Sequence, residues 1–191
     1  MNNEEFIKLL KKHLRSNGIS YKIKDDPANE DTQITFLIED CELCFDGAVE
    51  VALWFDDNEL TCRAYYTSVA AAICKSSDHL SEFTRLLNYI NYRVHPAMAD
   101  PVGGRVLHLY NPRLYFTEDG NYDICYSFYL PYAFLGNITE ETCSFITYCL
   151  PELLNYLAPA IFPLLRGRIS LNDSMKYIER TILGISDSGE V

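Results

Sequence analysis

The chain is poor in the residues that reaction chemistry usually draws on. It holds four histidines, nine glycines and one tryptophan in 191 residues. A serine or cysteine hydrolase needs a nucleophile beside a histidine, often on a sharp glycine-flanked turn. Here His13 sits among lysines, His79 opens a helix, His95 precedes a proline and His108 lies in a strand-like run. None has such a turn beside it. "GG" at 103–104 lacks the lysine and helix of a phosphate loop, and "EDGNYD" lacks the acid spacing of a calcium loop. The acids Asp56, Asp57, Glu59, Glu118 and Asp119 fall in hairpin turns, where backbone geometry favours them. The reading is therefore of a protein that is not an enzyme and takes no cofactor.

Positive charge is also scarce. Sixteen Lys and Arg stand against 27 Asp and Glu, a net charge of −11. Such a surface repels phosphate backbones and anionic lipid, so neither nucleic acid nor a membrane surface is expected as a partner. The balance suits a basic protein partner. The opening "MNNEEFIKLLKKHL" has acids where a secretory signal carries bases, and no long apolar run. Seven cysteines without a signal then read as free thiols in a reducing, cytoplasmic setting. "NIT" at 137–139 matches a glycosylation acceptor but reads as a helix start.

Residues 143–165 are apolar and carry one charge, Glu152. Asn155, Pro151, Pro159 and Pro163 count against a membrane span, because each proline removes a backbone donor. A buried helix that Pro151 kinks or divides is the expectation.

The patterned segments are those of an α+β fold. Phe6, Ile7, Leu9, Leu10 and Leu14 give a helical stripe over 3–16, with Asn3 as cap and Gly18 as stop. "SYKIKDD" is a short strand leading into a loop, and "TQITFLIED" alternates with Ile34, Phe36 and Ile38 on one face. "VEVALWFDDNELTCRAYY" predicts a hairpin turning on Asp57-Asn58, residues that tolerate positive φ. Its implied register pairs Val49 with Tyr66, Val51 with Ala64, Leu53 with Cys62 and Phe55 with Leu60. The other face pairs Trp54 with Thr61, Ala52 with Arg63 and Glu50 with Tyr65. A helix follows over about 78–94, capped by Ser77 or Asp78, and "ADPVGG" reads as a loop.

A second β unit comprises "RVLHLYN" and "RLYFTEDGNYDICYSFYLP". A two-residue Asp119-Gly120 turn would pair Thr117 with Tyr122, Tyr115 with Ile124 and Arg113 with Tyr126, leaving Leu114, Phe116 and Cys125 opposite. Thr139 is expected to cap the late helix, and Ser170 or Asn172 a last one. The fold class is α+β, an antiparallel sheet with helices packed on it, in the order α-βββ(β)-α-βββ-α-α. One domain is expected over 1–185, with a flexible acidic tail at 186–191.

This layout resembles the YbjN-like group, which shares its fold with class I type III secretion chaperones. The opening helix, the "VEVALWF…LTCRAYY" hairpin, the run "RLLNYINYRV…GGRV…DGNYDICYSFYLP" and "TEETCSFITYCLPELLNYL" carry the resemblance. It implies a domain that holds other proteins, often as a dimer, without a catalytic motif. The three late prolines, the extra terminal helix and the cysteines depart from the group.

Two sets of candidate residues remain. "CELC" could supply Cys41 and Cys44 to a zinc site completed by Cys74 and His79, but the spacing C-x4-H is unconventional and strand-like residues follow. Nor do the cysteines precede a helix, as a redox pair would. Ordinary buried thiols are the simpler expectation. The aromatic residues say more: fourteen tyrosines, ten phenylalanines and one tryptophan exceed what a one-sided sheet needs. Trp54, Tyr65, Leu114 and Phe116, as outward sheet residues, with Tyr89 and Tyr92 on the second helix, are the candidate partner-binding set. The expected function is a chaperone-like or adaptor-like protein-binding domain, self-associating as a possible homodimer. The alternatives are a small-ligand sensor with an aromatic pocket between sheet and late helix, and a zinc-bound structural domain.

Overall fold

The computed structural model describes residues 1–26, 31–96, 98–99, 106–107 and 110–185. It is an α+β fold. Strands β1 (Tyr21–Asp26), β2 (Asp31–Ile38), β3 (Val49–Phe55), β4 (Glu59–Tyr66), β7 (Arg113–Phe116) and β8 (Ile124–Pro131) form one antiparallel sheet, ordered β1-β2-β3-β4-β8-β7. A separate two-stranded ladder joins β5 (Met98–Ala99) to β6 (Val106–Leu107). Of the segment "RVLHLYN", Val106 and Leu107 are in this ladder. The rest of "ADPVGG", His108, the loop at 27–30 and the tail at 186–191 lie outside the described residues.

The β3–β4 hairpin has the register read from the sequence, Val49 opposite Tyr66 through Phe55 opposite Leu60. The loop is Asp57-Asn58, closed by Asp56 N–H donating to Glu59 O at 3.2 Å. Neither loop residue has positive φ, so the turn is not the kind those residues were expected to supply. Alternation alone holds the register, since a slip of one would turn every apolar side chain to the wrong face.

The β7–β8 hairpin corrects the expectation by one residue. Arg113 pairs with Ser127, Leu114 with Tyr126, Tyr115 with Cys125 and Phe116 with Ile124. The turn is longer than Asp119-Gly120. Thr117 N–H donates to Asp123 O at 2.9 Å, and Asp123 N–H returns to Thr117 Oγ1 at 3.0 Å. The Asp119 carboxylate accepts Asn121 N–H at 3.0 Å, and Gly120 and Tyr122 take positive φ. An Asx turn has displaced the tight hairpin.

Helix α1 (Asn3–Ser16) is capped by Asn2, not Asn3: its side chain accepts Glu5 N–H at 2.9 Å while Glu5 Oε2 accepts Asn2 N–H. Helix α2 (Ser68–Lys75), which the sequence reading left unassigned, separates β4 from α3 (Leu80–Arg93). Ser77 precedes α3 but does not cap it. Its hydroxyl accepts His79 N–H at 3.0 Å and donates to Leu165 O at 2.6 Å. A short helix, α4 (Tyr132–Leu135), was also not foreseen. Ser170 caps α7 (Leu171–Thr181) through a capping box with Asp173.

The late helix runs unbroken as α5 (Thr139–Ser144), a π-helical turn (Phe145–Cys149) and α6 (Leu150–Leu165). Pro151 is the second residue of α6 and brings no backbone N–H; the helix stays continuous there with a change of pitch, the π turn before it closing by Leu150 N–H onto Phe145 O. Thr139 does not cap it; its hydroxyl donates to Leu135 O at 2.7 Å. The 27-residue span is long and apolar enough to cross a membrane by length and composition, and 61% of its most apolar window is buried inside the fold.

One face of the sheet meets the helices. Phe55 meets Phe6 of α1, Tyr66 meets Phe162 of α6 at 4.8 Å, Phe116 meets Phe83 of α3 and Phe128 meets Phe145 of the π turn. Tyr66 Oη also donates to Leu154 O at 2.6 Å. Ile34, Val51, Leu53, Leu60, Cys62 and Leu114 fill the layer between.

Candidate functional site

Alternation that sends Val51, Leu53 and Phe55 inward sends Glu50, Ala52 and Trp54 outward. Ladder partners then build three rows across the opposite face. Gln33, Trp54, Thr61 and Tyr129 form one; Thr35, Ala52, Arg63, Ser127 and Arg113 the next; Leu37, Glu50, Tyr65, Cys125 and Tyr115 the third. From this face Arg113 Nη1 donates to Asn91 O of α3 at 3.3 Å. Ala52, Thr61, Cys125 and Ser127 are buried.

At the centre, the Arg63 guanidinium stands 5.0 Å from the Trp54 ring centroid, a diagonal cross-strand pair. Arg63 Nε is buried and has no hydrogen-bond partner. Tyr65 and Tyr115 beside it are held neutral. Burial, with the Cys125 thiol beside it, pushes Tyr115 up to about 12. Burial foremost, then the Glu50 carboxylate opposite, pushes Tyr65 well above the ordinary phenol range. Burial also raises the Cys125 thiol to about 11.

The structure separates the six residues expected at a partner-binding surface. Trp54 and Tyr65 share the open face. Leu114 is buried and Phe116 half-buried on the helix-covered face, which corrects their placement as outward residues. The one-residue shift in the second hairpin is the cause: it turns Leu114 and Phe116 inward and Tyr115 outward. Tyr89 lies in the seam between α3 and α7, its hydroxyl donating to Glu179 Oε1 at 2.8 Å. Tyr92 is 76% exposed on α3, in the helix layer. The sequence reading missed Tyr115, Arg63 and Tyr129, the last 60% exposed. Arg63 was legible as an outward residue from the first hairpin's register. Tyr129 was legible too, two alternations beyond the outward Cys125 in one strand; Tyr115 needed the length of the second turn.

Cys41 and Cys44 are buried in a turn braced against α6. Asn155 Oδ1 accepts both Leu43 N–H at 2.8 Å and Cys44 N–H at 3.1 Å. The Cys41 S–H donates to Ile38 O at 3.6 Å. The neighbouring Cys44 thiol holds Cys41 below its ordinary value, while Cys44 itself is pushed far up by Cys41 and by burial. Cys74 is buried in α2. The His79 Nδ1 lies 2.6 Å from Glu82 Oε2, and its Nε2 stands 2.5 Å from where a Cβ on Gly167 would sit. Gly167 has φ +64, so it supplies both the left-handed turn after α6 and the room for that ring. Cys41, Cys44, Cys74 and His79 are therefore not a ligand set, and no group of three or more His, Cys, Asp or Glu among the described residues is placed to hold a metal ion.

The space between sheet and late helix, where an aromatic pocket was expected, is occupied by rings: Tyr110 stacks on Phe145 at 4.3 Å and meets Phe128 at 5.0 Å. The π turn borders open clefts, but its polar groups are engaged. Thr147 Oγ1 donates to Cys143 O at 2.8 Å and so accepts from His13 Nε2–H at 3.1 Å. Tyr148 Oη donates to Asn17 Oδ1. No family model, curated protein or solved structure matches the chain.

Proposed function

We propose that this chain is a protein-binding domain, chaperone-like or adaptor-like and without catalytic chemistry of its own, and that the open sheet face is its contact surface. One observation carries the reading. The sheet face turned away from the helix-packed core bears Trp54, Tyr65, Tyr115 and Tyr129 in register with small, buried side chains. Aromatic side chains with a polar tip bury much area at little entropic cost, and they mark interface centres. The layout that resembles the YbjN-like and secretion-chaperone group supports the same role. Seven free thiols fit work in a reducing compartment.

The test compares partners co-purified from the native cell by the wild type and two variants. Trp54→Asp with Tyr129→Asp should lose the partner, and Tyr92→Asp, on the helix layer, should keep it. Retention by all three would overturn the reading. Light scattering across a concentration series tests self-association; a monomer throughout removes the homodimer.

A further inference from the structure

We propose that Arg63 is the anchor of this face and takes a side-chain carboxylate, Asp or Glu, from an otherwise apolar segment of the partner protein. The inference rests on the reading of the open face as a docking surface. It reverses, locally, what the net charge of −11 favours for the whole chain, a basic partner.

Four observations support it. First, the chain has eleven more acids than bases (27 − 16), yet among the described residues no carboxylate lies within 4.0 Å of the Arg63 nitrogens; the one such pair is His79–Glu82. Second, Arg63 Nε is already withdrawn from water with no partner. A buried donor left unmade is costly, so a ligand that satisfies it recovers that cost. Third, the Trp54 ring at 5.0 Å fixes the guanidinium. A shelved, planar guanidinium presents parallel donors that fit a carboxylate two-pronged, and little entropy is left to lose. Fourth, the immediate neighbours are buried: Ala52 faces Arg63 directly on one side and Ser127 on the other, with Trp54, Tyr65 and Tyr115 nearby. A charge pair made there escapes the screening that weakens exposed pairs. Glu50, the acid on this face nearest in register, stands opposite Tyr65 and not Arg63.

Trp54 is the single tryptophan, so its emission reports on this site without a label. The probe is a set of synthetic ten-residue peptides with apolar and aromatic flanks, each made with a central Glu and again with Gln. Wild-type protein should bind Glu members about tenfold or more tightly than their Gln twins, with a change in Trp54 emission. Arg63→Gln should bring the twins to equal affinity. Arg63→Lys, which keeps the charge but not the two-pronged geometry, should retain part of the preference, and guards against a Gln variant that fails to fold. Equal wild-type affinity for Glu and Gln twins, with Trp54 still responding, would overturn the role of Arg63 and leave the face as a docking surface. No Trp54 response to any peptide would overturn both.

Discussion

Asn91 grips Leu114 at both ends of its backbone. Asn91 Nδ2 donates to Leu114 O at 2.8 Å, and Leu114 N–H donates to Asn91 Oδ1 at 2.9 Å. Strand β7 is the edge of the sheet, and its outward N–H and C=O would otherwise template another strand. The amide of α3 takes the place of a neighbouring strand. It also ties the helix layer to the edge of the sheet.

Asn91→Ala leaves both Leu114 groups unmet and should cost about 1–3 kcal/mol in urea unfolding. Asn91→Asp should do no better, because a carboxylate cannot donate to Leu114 O. In both variants the Leu114 amide should exchange with deuterium faster than in the wild type. Unchanged exchange would show that the grip does not form in solution.

Asn155 braces the Cys41–Cys44 turn by one oxygen with two donors. Asn155→Leu should loosen the turn at a cost of about 1–3 kcal/mol. The readout specific to the turn is thiol accessibility: Cys41 and Cys44 should react faster with an aromatic disulfide reagent than in the wild type, while Cys62, in the sheet core, should not.

The thiols themselves should differ. Cys41 is held low by the Cys44 thiol, whereas burial raises Cys62, Cys125 and Cys143. Iodoacetamide at neutral pH, followed by peptide mass spectrometry, should label Cys41 ahead of Cys44 and of those three. Cys44→Ala removes that thiol, so Cys41 should then be labelled more slowly at the same pH. Faster labelling would contradict this role of Cys44.

Stability should fall in alkali. Burial raises Cys74 and Cys125 from 9.0 to about 11, and Cys143 from 9.0 and Tyr115 from 10.0 to about 12. A folded value above the unfolded one means the unfolded chain releases its proton first. The contribution is therefore whole below pH 9 and is lost as pH rises through 11 and 12. His13 acts on the acid side. Burial lowers it from 6.5, against the pull of Glu140, so its contribution is whole above pH 6.5 and is lost as pH falls through the folded value. Melting temperature against pH should be flat between pH 7 and 9, and His13→Gln should flatten the acid limb only.

Much of this architecture was legible in the chain, and the gaps have physical causes. The β3–β4 register followed from alternation, which leaves one solution when one face is buried. The β7–β8 register did not. Both of its faces are apolar, so pattern could not choose between registers, and the choice fell to the Asp119 side chain, whose bond to Asn121 N–H lengthens the turn. Helix α2 escaped because eight residues, SVAAAICK, span barely two turns and carry no side-chain cap. At the candidate site, Trp54 and Tyr65 came from the well-determined hairpin. Leu114 and Phe116 came from the shifted one and proved to face inward.

By itself the sequence determined the local geometry: which segments coil, which extend, and which side chains share a face along each. These depend on neighbours a few residues apart, and their periods are written in the order of residues. Tertiary structure alone decided which sheet face the helices cover, that Asn91 closes the β7 edge, and that Arg63 lies over Trp54 with its Nε unmet. Those relations join strands and helices distant in the chain, and they arise only when burial of the common core brings them to one place.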